Sequence, residues 1–108
     1  MENKFIHPET VEEFEKALAE NKNVMVMFST SWCPPCKVVY PKLSKITKNY
    51  PKVSFVKVDS EEIEELADLY EIKSLPTFMF FRNGIQRKSV PRIEGARYED
   101  IIKSIEKF

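Results

Sequence analysis

Five consecutive apolar residues, Val24-Met25-Val26-Met27-Phe28, constrain the fold of this chain more than any other feature. The run is bounded by Asn21-Lys22-Asn23 and Ser29-Thr30-Ser31 and shows no polar alternation. It reads as a central strand covered on both faces, which requires helices above and below it. Val53-Ser54-Phe55-Val56-Lys57-Val58-Asp59 and Phe78-Met79-Phe80-Phe81 read as two more buried strands. Phe5-Ile6-His7 reads as a short edge or near-edge strand.

Segments of helical spacing lie between these runs. Val11, Phe14, Ala17 and Leu18 mark one helix, opened by Thr10 with Glu13 in a capping-box pattern. Val38, Val39, Leu43, Ile46 and Tyr50 mark a second, with Pro41 expected to kink it and Pro51 to close it. Ile63, Leu66, Ala67 and Tyr70 mark a third, with Ser60 as its expected cap. Tyr98, Ile101, Ile102, Ile105 and Phe108 mark a fourth, running from Arg97. Asn83-Gly84 is a two-residue hairpin signal, so the strand from Ile85 returns antiparallel, and Pro91 confines it to an edge. The class is α/β, a mixed sheet with helices on both faces.

At 108 residues the chain is expected to form one domain, residues 1–108, with a core that needs no staple. Its 17 basic and 17 acidic side chains cancel, so nucleic-acid or membrane binding driven by net charge gets no support. The start carries no signal-like apolar run, and nowhere do about 18 apolar residues follow one another. The expected compartment is the cytoplasm. There a close cysteine pair is more often catalytic or metal-binding than structural.

The only two cysteines sit three apart in Trp32-Cys33-Pro34-Pro35-Cys36-Lys37. On a helix, positions i and i+3 share a face with Cβ atoms about 5–6 Å apart, and bridged cysteines have Cα atoms roughly 4.4–6.8 Å apart. So small a loop contributes only about 2 kcal/mol to stability, little for a staple. A switch that opens and closes fits better. At a helix N-terminus, unpaired N–H groups favour a thiolate, and Pro34 and Pro35 suit first-turn positions. Cys33, exposed at that end, is expected to attack a disulfide, and Cys36, one turn in, to resolve the product. Zinc is the rival ligand, but it needs two more protein donors, and the chain has no third cysteine and one histidine. His7 reads as a surface or turn residue, and Glu61-Glu62-Ile63-Glu64-Glu65 as a solvated helix face rather than an acidic docking patch.

The series from the strand Val24–Phe28 through Trp32-Cys33-x-Pro35-Cys36-Lys37, Pro41, Phe55-Val56-Lys57-Val58-Asp59, Leu75-Pro76-Thr77, Asn83-Gly84 and Gly95-Ala96 resembles the thioredoxin family. The likeness spans essentially the whole chain from about Phe5. It implies a thioredoxin fold, a central mixed β-sheet of about five strands with four helices on both faces, and a monomeric dithiol–disulfide oxidoreductase. It also implies a groove for the partner polypeptide lined by Trp32, Pro34, Pro35, Leu75, Pro76, Gly95 and Ala96, with Pro76 in the cis form. No bound cofactor is implied. Electrons are expected from an NADPH-dependent flavoprotein, a thioredoxin reductase, and the substrates are disulfide-containing proteins.

Three positions depart from the family pattern. Pro34 stands where glycine is usual, giving a Cys-Pro-Pro-Cys centre of the kind found in tryparedoxin and nucleoredoxin relatives. Met27 stands where a buried aspartate assists proton transfer at the second cysteine. The stretch from Gly84 to Gly95 is about three residues longer than usual and is expected to bulge the edge strand. The alternatives are a specialised donor to a particular peroxidase or reductase, and a binding module that uses the groove for docking.

Overall fold

In a computed structural model of the chain, which describes residues 4–108, the apolar run becomes β1 (Asn23–Ser29), the middle strand of the sheet. β1 pairs in parallel with β2 (Ser54–Asp59) and antiparallel with β3 (Thr77–Arg82). β3 in turn pairs antiparallel with two short strands, β4 (Ile85–Gln86) and β5 (Ile93–Glu94). Beyond β2, the expected edge strand at Phe5–His7 reduces to one parallel bridge between Ile6 and Val56. Two backbone bonds hold it, Ile6 N–H to Phe55 O at 2.7 Å and Lys57 N–H to Ile6 O at 2.9 Å.

Four helices cover the sheet: α1 (Val11–Glu20), α2 (Pro34–Ile46), α3 (Glu64–Leu69) and α4 (Tyr98–Ile105). The side chains of β1 alternate between two apolar clusters, because successive residues of a strand point to opposite faces. Met25 and Met27 pack with Phe55, Phe78 and Phe80, with Val39 and Leu43 of α2, and with Ile101 and Ile105 of α4. Val24, Val26 and Phe28 pack with Val56, Val58, Met79 and Phe81, with α1 through Phe14 and Leu18, and with Ile63 just ahead of α3 and Leu66 within it. The fold class expected from the residue pattern is therefore the one observed: a mixed five-stranded sheet with two helices on each face.

Local details differ in three places. The Thr10 hydroxyl accepts from Glu13 N–H at 3.1 Å, but the Glu13 carboxylate reaches back to Glu9 N–H rather than completing the box at Thr10. α3 begins at Glu64, and its approach is capped by Asp59, whose Oδ1 accepts from the N–H groups of Glu61 (2.9 Å) and Glu62 (3.2 Å). The carboxylate at the strand end reaches both donors, while the Ser60 hydroxyl is buried without a partner in the described residues.

The third difference is at the sheet edge. Asn83 and Gly84 have φ of +53° and +79°, as a two-residue hairpin with primed geometry requires. The edge strand then breaks from Arg87 to Arg92 instead of bulging once. Val90 turns inward to 2% exposure, and Arg92 donates to the carbonyls of Tyr70 (2.7 Å) and Glu71 (3.4 Å) at the end of α3. Those two anchors account for the detour.

Candidate active site

β1 ends at Ser29, and a short turn delivers Cys33 to the N-cap of α2, with Pro34 and Pro35 as the first two helical residues. Neither proline has an N–H, so Cys36 supplies the first free amide of the helix. That amide donates to Cys33 Sγ at 3.3 Å. Cys33 and Cys36 are joined by a disulfide, with Cα atoms 5.3 Å apart. The start of α2 thus turns one N–H, and the positive end of its dipole, toward the Cys33 sulfur.

Cys33 is not exposed as expected: both cysteines are 3% accessible and pack in the cluster that contains Met27 and Phe78. Bonded to Cys36, Cys33 is buried with it against that apolar cluster. Pro34 and Pro35 remain exposed beside it. Trp32 is 63% exposed, and its indole N–H donates to Glu61 Oε1 at 2.8 Å, which ties the ring to the turn before α3.

The Leu75–Pro76 peptide bond is cis. Leu75 packs against the cluster that holds the cysteines, and Pro76 is buried just ahead of β3. The Pro76 carbonyl accepts from Gly95 N–H at 2.7 Å, and Gly95 takes φ +96°, a conformation that favours glycine. The loops carrying Leu75-Pro76 and Gly95-Ala96 are therefore joined directly, with Ala96 exposed.

Residue patterns did not reveal a cleft of about 290 Å³ on the other side of Cys36, lined by Thr30, Ser31, Cys36, Lys37, Tyr40, Pro41 and Lys57. Lys57 faces Met27 across the β1–β2 ladder, and its ammonium lies 5.2 Å from the centroid of the Tyr40 ring. The Tyr40 hydroxyl is 3.4 Å from His7 Nε2. Burial first, and the Lys57 charge second, hold His7 below the ordinary histidine pKa of 6.5. Two signals were present in the sequence: Tyr40 follows Cys36 by four residues, and Lys57 interrupts an apolar strand.

Among the described residues, no group of three or more His, Cys, Asp or Glu side chains is placed to hold a metal ion. Nor is any helix among them long and apolar enough to cross a membrane. A strand–turn–helix that presents two bridged cysteines across one helical turn, on a five-stranded mixed sheet with a cis-proline loop, defines a dithiol–disulfide oxidoreductase. The chain belongs to the thioredoxin family, whose Thioredoxin model matches residues 5–107. It is 36% identical to Thioredoxin-1 of Saccharomyces cerevisiae, over 89% of this chain and 90% of that protein. It superimposes on a structure of Plasmodium falciparum thioredoxin with a TM-score of 0.87, at 33% identity, over 94% of this chain and 97% of that one. A third likeness, with a TM-score of 0.88, 28% identity and full coverage of both chains, is to a chain in a structure of the thiol-resolving mechanism of yeast mitochondrial 1-Cys peroxiredoxin via glutathione/thioredoxin systems. The chemistry of this chain is protein disulfide reduction by thiol–disulfide exchange through its CxxC pair.

Proposed function

We propose that residues 1–108 act as one domain, a monomeric general reductase of disulfides in other cytoplasmic proteins, with Cys33 attacking and Cys36 resolving. The observation that carries the assignment is the Cys36 N–H aimed at Cys33 Sγ from the first turn of α2. An anion on Cys33 meets that donor and the helix dipole, whereas Cys36 lies inside the helix. The Cys33 thiolate attacks one sulfur of the partner's disulfide, and the other sulfur leaves as a thiolate. Cys36 then attacks Cys33 Sγ, the Cys33–Cys36 bond forms, and the reduced partner departs.

The partner's backbone is taken to pair beside Leu75-Pro76 in the manner of an added strand. Trp32, Pro34 and Pro35 form one bank of that groove, and Gly95 and Ala96 the other. Two electrons restore the dithiol, in this reading from an NADPH-dependent flavoprotein, a thioredoxin reductase. A second reading, a donor dedicated to one peroxidase, is favoured by Pro34 and by the likeness to a chain in the peroxiredoxin structure.

Cys33→Ser is expected to abolish insulin-disulfide reduction, and Cys36→Ser to accumulate mixed disulfides through Cys33. Trapping on Cys36→Ser followed by identification of the captured proteins separates the readings. Many unrelated captures support the general role, and one dominant peroxidase supports the dedicated one. Alkylation of the reduced chain that labels Cys36 before Cys33 would reverse the assignment of the thiols. Absence of turnover in the unaltered chain would instead leave the groove as a docking surface.

A further inference from the structure

Resolution of the mixed disulfide requires Cys36 to lose a proton. Met27, in the same cluster as both cysteines, offers no acceptor. Nor does the cleft beside Cys36 supply a carboxylate: its walls are Thr30, Ser31, Cys36, Lys37, Tyr40, Pro41 and Lys57. Tyr40 and Cys36 are four apart on α2 and share a helix face. The Thr30 hydroxyl on the same wall is 6% exposed as a residue and has no hydrogen-bond partner in the described residues. A buried hydroxyl of that kind is ordinarily satisfied by water, and a cleft of about 290 Å³ has room for several at about 30 Å³ each. Beyond Tyr40, its hydroxyl meets the Nε2 of His7, the only histidine in the chain.

We propose that this cleft is the proton exit for Cys36, with the Tyr40 hydroxyl as relay and the His7 imidazole as acceptor. The proposal rests on Cys36 being the resolving thiol. In the mixed disulfide, Cys33 Sγ is bonded to the partner's sulfur. The Cys36 thiol gives its proton to a water in the cleft, and that water passes one to Tyr40 Oη as Tyr40 passes its own to His7 Nε2. The Cys36 thiolate attacks Cys33 Sγ. The Cys33–Cys36 bond forms as the Cys33–partner bond breaks, and the electron pair of the broken bond leaves on the partner's thiolate. His7 then releases its proton to solvent, where the partner thiolate can take one up.

The surrounding charges suit this direction. Lys57 from β2 and Lys37 from α2 line the cleft and favour an anion on Cys36. On its other side His7 lines a second cleft with Glu13, Lys16 and Glu20 of α1. Burial and the Lys57 charge keep His7 neutral near pH 7, so in the tautomer with Nε2 unprotonated it accepts a proton and readily gives it up.

The test is stopped-flow mixing of the reduced chain with an aromatic disulfide whose released thiolate absorbs visible light. The first release reports attack by Cys33 and the second reports resolution by Cys36. Tyr40→Phe keeps the ring over Lys57 and removes only the hydroxyl, and His7→Gln removes the acceptor. Each should slow the second release near pH 7 on the order of tenfold or more, and remove a histidine-range inflection from its pH profile. The first release should change much less. Wild-type resolution rates and pH profiles in both variants would overturn the relay. So would slowing in Lys57→Met alone, which would leave charge as the whole effect. If Cys33→Ser retains the fast first release, the thiol assignment itself has failed, and the relay falls with it.

Discussion

Met27 is fully buried in β1, beside Lys57 of β2 and Phe78 of β3, in the cluster that holds both cysteines. A carboxylate in that position would be desolvated, which raises a pKa by up to about 3–5 units, whereas a nearby cation lowers it by about 1–3. Desolvation wins, because Lys57 is partly exposed. Met27→Asp should therefore lower stability by about 1–4 kcal/mol. The native variant would bind more protons than its unfolded chain, so the loss grows as pH rises from about 3.9 through the raised native value. Denaturant unfolding of variant and parent should show a wider gap at about pH 7 than at about pH 4. Resolution should become faster near neutral pH, because an adjacent carboxylate competes with the longer path through Tyr40. Unchanged or slower resolution in a folded variant would mean that proton removal does not limit this step. His7 has the opposite linkage. Its native pKa is held below 6.5, so between that lowered value and 6.5 the unfolded chain binds more protons than the native one. Stability therefore falls as pH drops through this window, and His7→Gln should flatten that part of the curve in urea midpoints measured stepwise across it. Cys33 and Cys36 were legible because their chemistry is carried by residue type and spacing, and Pro76 only through the resemblance to the family. Tyr40, Lys57 and Thr30 were not, since α2, β2 and the turn after β1 build their cleft together. The apolar spacing read for that helix, from Val38 to Tyr50, did not single out Tyr40.

At the scale of elements, the turn between β2 and α3 links a cap to the site. Asp59 holds the N–H groups of Glu61 and Glu62, and Glu61 holds the indole of Trp32. Asp59→Ala should cost about 0.5–2 kcal/mol in thermal or denaturant unfolding, the usual loss for a cap of this kind. It should also shift the fluorescence of the single tryptophan toward that of a freer indole. Ser60→Ala removes a buried hydroxyl that has no partner in the described residues, so its cost should be near zero or slightly negative. An equal loss in the two variants would return the cap to Ser60. Sequence reasoning favoured Ser60 because serine commonly starts helices. What decided otherwise is that Ile63 is buried and α3 starts only at Glu64, which leaves the preceding amides to the carboxylate of Asp59. The broken edge strand has a similar cause. Pro91 and the added length announced a distortion, but its position depends on Arg92 reaching carbonyls 21 and 22 residues away. No local pattern encodes that reach.

Across the whole molecule, the sheet separates the apolar cluster that holds both cysteines from the one under α1 and α3, with Leu75 packed against each. Both cysteines belong to the cluster shared with α2 and α4, and neither touches the cluster under α1 and α3. The alternation of β1 made this division readable in outline, since its five apolar residues must serve both faces. Which helix covers which face was not readable, because crossover direction is a property of the assembled sheet. The division can be tested with two substitutions of the same chemistry. Met27 and Met79 are both fully buried and lie one register step apart, Met27 opposite Phe78 and Met79 opposite Val26, and they belong to opposite clusters. Met27→Ala and Met79→Ala should each cost about 2–5 kcal/mol, depending on how far the surroundings close the space. A domain with about 5–15 kcal/mol to lose remains folded under mild conditions. Only Met27→Ala opens room in the cysteine cluster, where loosened packing lets the Cys36 side chain shift relative to Cys33. Its resolution rate should therefore change while that of Met79→Ala stays at the parental value, with both stabilities measured by urea unfolding in the same buffer. If Met79→Ala alters resolution as much as Met27→Ala, packing strain crosses the sheet and the two faces do not act independently.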